Sequence, residues 1–293
     1  MATNFSDEQL NLARKKFYGR FYYTGKKFNI LNVSINKILI YFLNLKISLI
    51  NFKRKIFRLK NLFNRNSNII SPEFKINIDD TTFLKHSDEL KNNNYTYIEN
   101  FLDNDYYEHL LKNWPNINFF NDNTQIIKFY SLGFKYSKKN NEKFDKDIYF
   151  SLNTELKKFY QNILSEDFKN FINKLLKFEN VNYSIYTIAS TMAKNNSYLI
   201  PHIDGVRYKS TEKNTYNFIY FVDGNDNDTS LSGGTGIYRD NNFKEPLLIP
   251  KSLKNSVLIY NSSAKFFHGF KVMSVPKNVY RKTVNFQFFS ENM

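Results

Sequence analysis

The pattern of apolar and polar residues changes near residue 182. Beyond it, short runs rich in Ile, Val, Tyr and Phe are separated by clusters of Asn, Asp, Ser and Gly. Such runs are typical of antiparallel strands joined by turns, and several in succession favour a sandwich or a barrel. We therefore predict a small antiparallel β-structure over residues 182–290.

Residues 100–180 have the apolar spacing of helices instead. A helical period begins at Asp103, a start signal, and continues to Trp114, and a similar period covers residues 151–178. Just before them, residues 95–102 combine a strand-like run with a turn. The expected fold is α+β, with a mainly β core supported by helices in a domain over residues 71–293.

The first 70 residues form a basic extension. They hold fourteen Lys and Arg against two acidic residues, a net charge of +12, whereas the rest of the chain carries only +3. Apolar residues between Asn32 and Phe63 are broken by single Lys or Asn residues, which favours a helix. The longest uncharged apolar run, between Lys37 and Lys46, is far shorter than the roughly 20 residues of a membrane span.

Three roles stay open for this extension. It can be a helix packed on the folded domain, an interfacial helix that brings residues 1–65 to an anionic membrane surface, or an arm for nucleic acid. Nucleic acid is the least favoured, because the body of the protein lacks a strong positive charge. The chain has no cysteine, which excludes disulfides, thiolate zinc sites and cysteine nucleophiles and fits a reducing compartment. We expect a cytoplasmic protein, peripheral to a membrane if the second role holds.

Two histidines and an aspartate in the β half form a candidate metal site. His202 and Asp204 are two residues apart, so a strand would place both side chains on one face. His268 follows a later apolar run and is the candidate third ligand. Two imidazoles and one carboxylate are typical of non-haem Fe(II) sites with open coordination positions. A His-x-Asp pair alone is a weak motif, more often a surface turn or a hydrogen-bonded pair.

A basic residue begins the last apolar run of the chain. Arg281 is followed by Lys282 and Thr283. A guanidinium at the mouth of a barrel would form a bidentate pair with a carboxylate. The Thr283 hydroxyl, two residues on in a strand, would point the same way and could donate to that carboxylate.

Taken in order, these motifs resemble the prolyl-4-hydroxylase-type branch of the Fe(II)/2-oxoglutarate dioxygenases. The resemblance covers about residues 95–290 and includes the run 215–223 and the Ser-Gly-Gly-Thr turn at 232–235. It implies a double-stranded β-helix, also called a jelly roll. It also implies the following site: catalytic metal ligands His202, Asp204 and His268, and 2-oxoglutarate bound by Arg281 and Thr283.

The resemblance further implies a reaction. Fe(II), 2-oxoglutarate and O2 would hydroxylate a substrate and release succinate and CO2, with ascorbate as an optional addition. The scaffold handles peptidyl proline, amino acids, sugars and lipids, so the substrate stays open. Ala193 and Asn196 stand where the family often has Tyr and Gly, so the residues that hold the keto-side carboxylate are not identified.

Two other classes of protein are compatible with these motifs. One is a non-catalytic jelly-roll binding or assembly protein with a vestigial metal site. The other is a cupin-type hydrolase or isomerase, whose sites usually use more histidines than this half of the chain offers. The loop 223–228 lacks the Gly and Glu of a calcium loop. We expect His86 and His109 to lie outside the site, with Glu108 and His109 as a helix surface pair.

Overall fold

The architecture comes from a computed structural model that describes residues 48–49, 52–53, 56, 71–122, 130–135, 153–203, 215–264 and 266–290. Its helices are α1 (Asp80–Asn93), α2 (Asn104–Lys112), α3 (Thr154–Ile163) and α4 (Glu166–Leu175). Its strands are β1 (Tyr95–Ile98), β2 (Asn121–Asp122), β3 (Tyr130–Lys135), β4 (Tyr183–Ala193), β5 (Leu199–His202), β6 (Thr215–Asp223), β7 (Gly236–Tyr238), β8 (Pro246–Leu248), β9 (Ser256–Asn261), β10 (Phe267–Phe270) and β11 (Arg281–Ser290).

The strands form two antiparallel sheets. In the described part of the chain, the larger sheet has the order β1-β9-β6-β11-β4-β3-β2 and the smaller sheet the order β5-β10-β7-β8. From β4 onwards the chain passes repeatedly from one sheet to the other, so most strands that are neighbours in a sheet are distant in sequence; β7 and β8 are consecutive. The result is a mixed α and β, jelly-roll-like arrangement, and the prediction of antiparallel β-structure is confirmed.

Each face of the larger sheet has its own environment. One face packs on the helices, as where the Phe168 ring of α4 lies 5.8 Å from the Phe286 ring of β11. Because side chains alternate along a strand, the opposite face of β11 carries Arg281, Thr283, Asn285 and Gln287. We call this second face the inner face, because its residues contact the smaller sheet.

Each helix begins at a side chain that accepts a hydrogen bond from the backbone of its first turn. Asp79 accepts from Thr82 N at 2.7 Å at the start of α1, and Asn153 accepts from Leu156 N at 2.9 Å at the start of α3. Such a cap contributes about 1 kcal/mol. Apolar residues on one side of α3 and α4, among them Phe159 and Phe168, are fully buried against the sheet.

Most local predictions agree with the observed elements. Asp103 caps α2, as predicted, and the helices predicted within residues 151–178 are α3 and α4. The strand predicted at the start of residues 95–102 is β1. Residues 100–180 are not purely helical, however, because β2 and β3 extend the larger sheet beside β4.

The basic extension lies mostly outside the described residues. Those that are described in it, Ser48, Leu49, Phe52, Lys53 and Ile56, are helical. The division between residues 1–70 and 71–293 therefore stays a prediction. Within the described part of the chain, no helix combines the length and the apolar character that spanning a membrane requires.

Candidate metal and co-substrate site

His202 and His268 lie side by side on neighbouring strands of the smaller sheet. They are Cα partners in the antiparallel pairing of β5 and β10. Their ring centroids are 4.1 Å apart, with 51° between the ring planes. The structure therefore brings together two of the three predicted metal ligands; that they bind an ion stays a prediction.

The His202 ring is oriented by its own strand. Its Nδ1 lies 2.9 Å from the carbonyl oxygen of Ile200. A carbonyl only accepts, so Nδ1 must donate, and Nε2 then carries the lone pair of the neutral ring. Ligating histidines are usually held by this kind of bond.

Asp204, the predicted third ligand, lies outside the described residues. Among the residues that are described, no cluster of three or more His, Cys, Asp or Glu side chains could hold a metal ion. Completion of the triad by Asp204 therefore stays a prediction.

Gly269 lets the two histidine strands approach each other. A Cβ atom at this position would lie 2.6 Å from the carbonyl oxygen of Leu199 and 3.0 Å from the backbone nitrogen of Pro201. Both atoms belong to the backbone of β5, which cannot move aside without shifting His202. Gly269 is therefore required for His202 and His268 to lie this close to each other.

Arg281 is enclosed between the two sheets. Its side chain is 3% exposed, and its Nη2 donates to Thr235 Oγ1 at 2.8 Å. The guanidinium carbon lies 4.8 Å from the ring centroid of Phe270, two residues along β10 from His268. A Cβ on Gly233, whose φ is +90°, would lie 2.8 Å from Arg281 Cδ. The Ser-Gly-Gly-Thr turn therefore makes room for the arginine and supplies its one described hydroxyl partner.

The charge of Arg281 is not neutralised by the described residues. Burial alone lowers its pKa to about 9, which still leaves the guanidinium protonated at neutral pH. Within the described part of the chain no carboxylate pairs with it, and its Nε has no hydrogen-bond partner there. A buried cation without a counter-charge is costly, so this site favours an anion. We predicted the guanidinium at the mouth of a barrel; it lies in an enclosed position instead.

Thr283 is also buried, on the inner face beside Arg281. Its Oγ1 lies 2.5 Å from Thr191 Oγ1, across the pairing of β11 with β4. Each hydroxyl has one proton, so one of the two can still donate to a ligand while the other donates within the pair. The predicted role of Thr283 is therefore shared with Thr191, which the sequence did not single out.

The inner face becomes more accessible along β11. Arg281 and Thr283 are buried, whereas Asn285 and Gln287 are half-buried. The neighbouring strand β4 shows the same trend, from the buried Thr191 to the half-buried Thr187. Among the described residues, the inner face is therefore more deeply buried at the arginine end than at the other.

Other candidates lie elsewhere. Lys282 points away from the inner face and pairs with Asp223 at 2.7 Å. His86 is buried and lies 2.7 Å from Thr96 Oγ1. The predicted surface pair of Glu108 and His109 is wrong, because His109 bonds across to Glu155 at 2.7 Å.

The departures from the family pattern also have a structural setting. Ala193 is the Cα partner of Arg281 in the pairing of β4 with β11. Asn196, which stands where the family often has Gly, has a φ of 64°. That left-handed conformation is one that Asn adopts more readily than most residues other than Gly.

No protein-family model matches this chain, and no curated protein does. Solved structures of 2-oxoglutarate and Fe(II) oxygenases are similar to it. One, from Burkholderia pseudomallei, is 9% identical, with a TM-score of 0.48 over 75% of this chain and 95% of that chain. A Pseudomonas putida prolyl-4-hydroxylase is 10% identical, with a TM-score of 0.47 over 71% and 99%. A Trichoplax adhaerens prolyl hydroxylase, in complex with a hypoxia inducible factor peptide fragment, is 14% identical, with a TM-score of 0.49 over 74% and 96%.

Proposed function

We propose that the protein is an Fe(II)- and 2-oxoglutarate-dependent dioxygenase that hydroxylates its substrate. The observation that supports this most is the enclosed Arg281, a cation without a described counter-charge, in the same enclosure as two adjacent histidines. Fe(II) would be held by His202, Asp204 and His268, and the two sheets would close into a double-stranded β-helix around it.

The protein's own residues would position the reactants. Arg281 would pair with the far carboxylate of 2-oxoglutarate, and the Thr191 and Thr283 pair would donate a hydrogen bond to it. Such charge-assisted bonds are stronger than neutral ones and become stronger still in an enclosed site. When bound, Fe(II) and 2-oxoglutarate supply the oxidising chemistry with O2, releasing succinate and CO2, and ascorbate would serve only to keep the iron reduced.

The less buried end of the inner face supports a neutral, hydrogen-bonding substrate. Asn285 and Gln287 are half-buried there, and Thr187 is the Cα partner of Gln287. Asn285 Oδ1 is enclosed and has no hydrogen-bond partner among the described residues. Carboxamides and hydroxyls suit peptide amides or sugar hydroxyls better than a lipid chain. In a screen read by stimulated succinate release, a response to fatty acids alone would contradict this assignment.

The basic extension would hold the enzyme at an anionic membrane surface. Leu49, Phe52 and Ile56 have helical spacing and are 55%, 61% and 40% exposed, beside Lys53. Exposed apolar residues with Lys and Arg around them are typical of interfacial helices. Co-sedimentation should be stronger with vesicles containing anionic lipid than with neutral vesicles and should disappear when residues 1–65 are deleted. Equal pelleting by both proteins would exclude this role.

The first experiment is succinate release from 2-oxoglutarate by the purified protein with Fe(II) and ascorbate. We expect uncoupled turnover in the wild type and none in His202→Ala or Asp204→Ala, because each loses a metal ligand. His86→Gln is a control, since His86 lies outside the site and forms other bonds. Turnover retained in both ligand variants would exclude the assignment. If the wild type neither turns over nor retains iron, the non-catalytic binding protein becomes the better interpretation.

A further inference from the structure

Tyr260 joins the two sheets at the histidine pair. It lies on the inner face of β9 and is 3% exposed. Its ring centroid is 4.9 Å from that of His268, at 40° between the ring planes. The His268 imidazole is therefore in contact with His202 on one side and with an aromatic ring of the larger sheet on another.

Tyr260 is in turn held by a buried carboxamide. Asn217, its Cα partner on β6, donates from Nδ2 to Tyr260 Oη at 3.0 Å and to Ser262 Oγ at 2.9 Å. An amide nitrogen has two protons, and these two bonds use both. Burying a carboxamide in a β core is unfavourable unless its hydrogen bonds are made, and here they fix the tyrosine.

We propose that Asn217 and Tyr260 are positioning residues for metal binding, acting through His268. This inference rests on the proposed function. The ring contact limits rotation of the imidazole, and the bond from Asn217 keeps the tyrosine ring in place. A metal ligand must be held within about 0.5 Å and 10–20° of its productive geometry. Loss of a hydrogen-bonded outer partner of a ligating histidine typically reduces metal affinity about 10- to 100-fold, and we expect loss of a ring contact to have an effect at the lower end of that range.

The test is calorimetric titration of the apoprotein with Co(II), together with the visible spectrum of the Co(II) complex. We expect roughly tenfold weaker binding in Asn217→Ala and Tyr260→Phe, which both remove the hydrogen bond between the two side chains, and a larger loss in Tyr260→Leu, which also removes the ring. Asn217→Ala removes the bond to Ser262 as well. The double variant Asn217→Ala/Tyr260→Phe should therefore bind no more weakly than Asn217→Ala alone, because the two residues act as one unit.

Tyr160→Phe is the matched control. Its hydroxyl is equally buried and lies 2.7 Å from Ser190 Oγ, but on the helix side of the larger sheet. It should change neither the affinity nor the spectrum. Wild-type affinity and spectrum in folded Tyr260→Phe and Tyr260→Leu would overturn the inference and leave the proposed function intact. A wild-type protein that binds no Co(II) would overturn both.

Discussion

Two charged residues are buried in the part of the chain whose burial the structure describes: Glu155 and Arg281. Glu155, in the helical layer, accepts a hydrogen bond from Ser71 at 2.7 Å, is 2.7 Å from His109 Nε2, and has the ammonium group of Lys158 at 3.4 Å. Among the described residues, the hydrogen-bond partner of the Arg281 side chain is the neutral Thr235 hydroxyl alone.

This difference distinguishes a buried charge that stabilises the fold from a buried charge that can bind a ligand. The carboxylate of Glu155 is satisfied by groups from three parts of the chain, so it ties Ser71, α2 and α3 together and leaves nothing for a ligand. The guanidinium of Arg281 has no counter-charge among the described residues, and its Nε has no hydrogen-bond partner there. Burial by itself therefore says little about function; the partners of the buried group decide it.

The largest expected effect is that of Arg281→Met, which removes the charge and keeps the space filled. We expect the affinity for 2-oxoglutarate to fall by about 2–5 kcal/mol, roughly 30-fold or more, because a buried charge pair can no longer form. The stability of the apoprotein should be unchanged or higher, since an uncompensated buried cation is removed. Calorimetric titration measures the affinity for 2-oxoglutarate, and urea unfolding measures the stability of the apoprotein.

Lys282→Ala is the control for this variant. Lys282 is the next residue along the chain but pairs with Asp223 on the other face. It should leave the affinity for 2-oxoglutarate unchanged. An equal loss in both variants would place the co-substrate carboxylate somewhere other than Arg281.

Glu155→Ala should show the opposite pattern. We expect a loss of about 1–3 kcal/mol in the free energy of unfolding, because buried partners are left unsatisfied, and an unchanged affinity for 2-oxoglutarate. Burial raises the pKa of Glu155, but the bonds from Ser71 and His109 and the charge of Lys158 outweigh it and hold the pKa below its usual value of 4.5.

The pH dependence of this effect follows from the sign of that shift. A carboxyl with a lowered folded pKa contributes stability above its unfolded pKa and loses it as the pH falls through the folded value. The stabilities of wild type and Glu155→Ala should therefore converge below about pH 4.5. A difference that persists undiminished in acid would mean that packing, not charge, makes the contribution.

The strands and helices were largely predictable, because alternation and helical spacing are local. His202, His268 and Arg281 could be singled out from the sequence, since each follows or begins a recognisable apolar run, and their roles stay predictions. Residues that depend on register were not. Thr235 is 46 residues from Arg281, and Thr191 is 92 residues from Thr283. The alternation of a strand gives the face of each residue, but not the strand that lies opposite.

The same limit explains why the sequence did not single out Tyr260 and Asn217, and why the prediction for His109 was wrong. Tyr260 is one of 21 tyrosines, and no feature of the sequence marks it or Asn217, which is 43 residues away. The wrong prediction for His109 has the same origin. Glu108 is its neighbour in the sequence, whereas Glu155, its partner in the structure, is 46 residues away. Contacts made by folding distant segments together need the structure.

The smallest expected effect is that of Gly233→Ala. The φ of +90° disfavours any Cβ, at a cost of about 1 kcal/mol or more in stability, and the new methyl would press on Arg281 Cδ. We expect a several-fold weaker affinity for 2-oxoglutarate with unchanged Co(II) affinity, measured by titration. An equal loss of both affinities would indicate general disruption instead.

The burial gradient along the inner face has a consequence for the order in which co-substrate and substrate would bind. Under the proposed function, 2-oxoglutarate paired with Arg281 would lie at the more deeply buried end of the inner face, and a substrate bound at Asn285 and Gln287 would lie at the less buried end. We therefore expect the co-substrate to bind before the substrate and succinate to leave after the product. Product inhibition by succinate should accordingly be competitive with 2-oxoglutarate in steady-state kinetics.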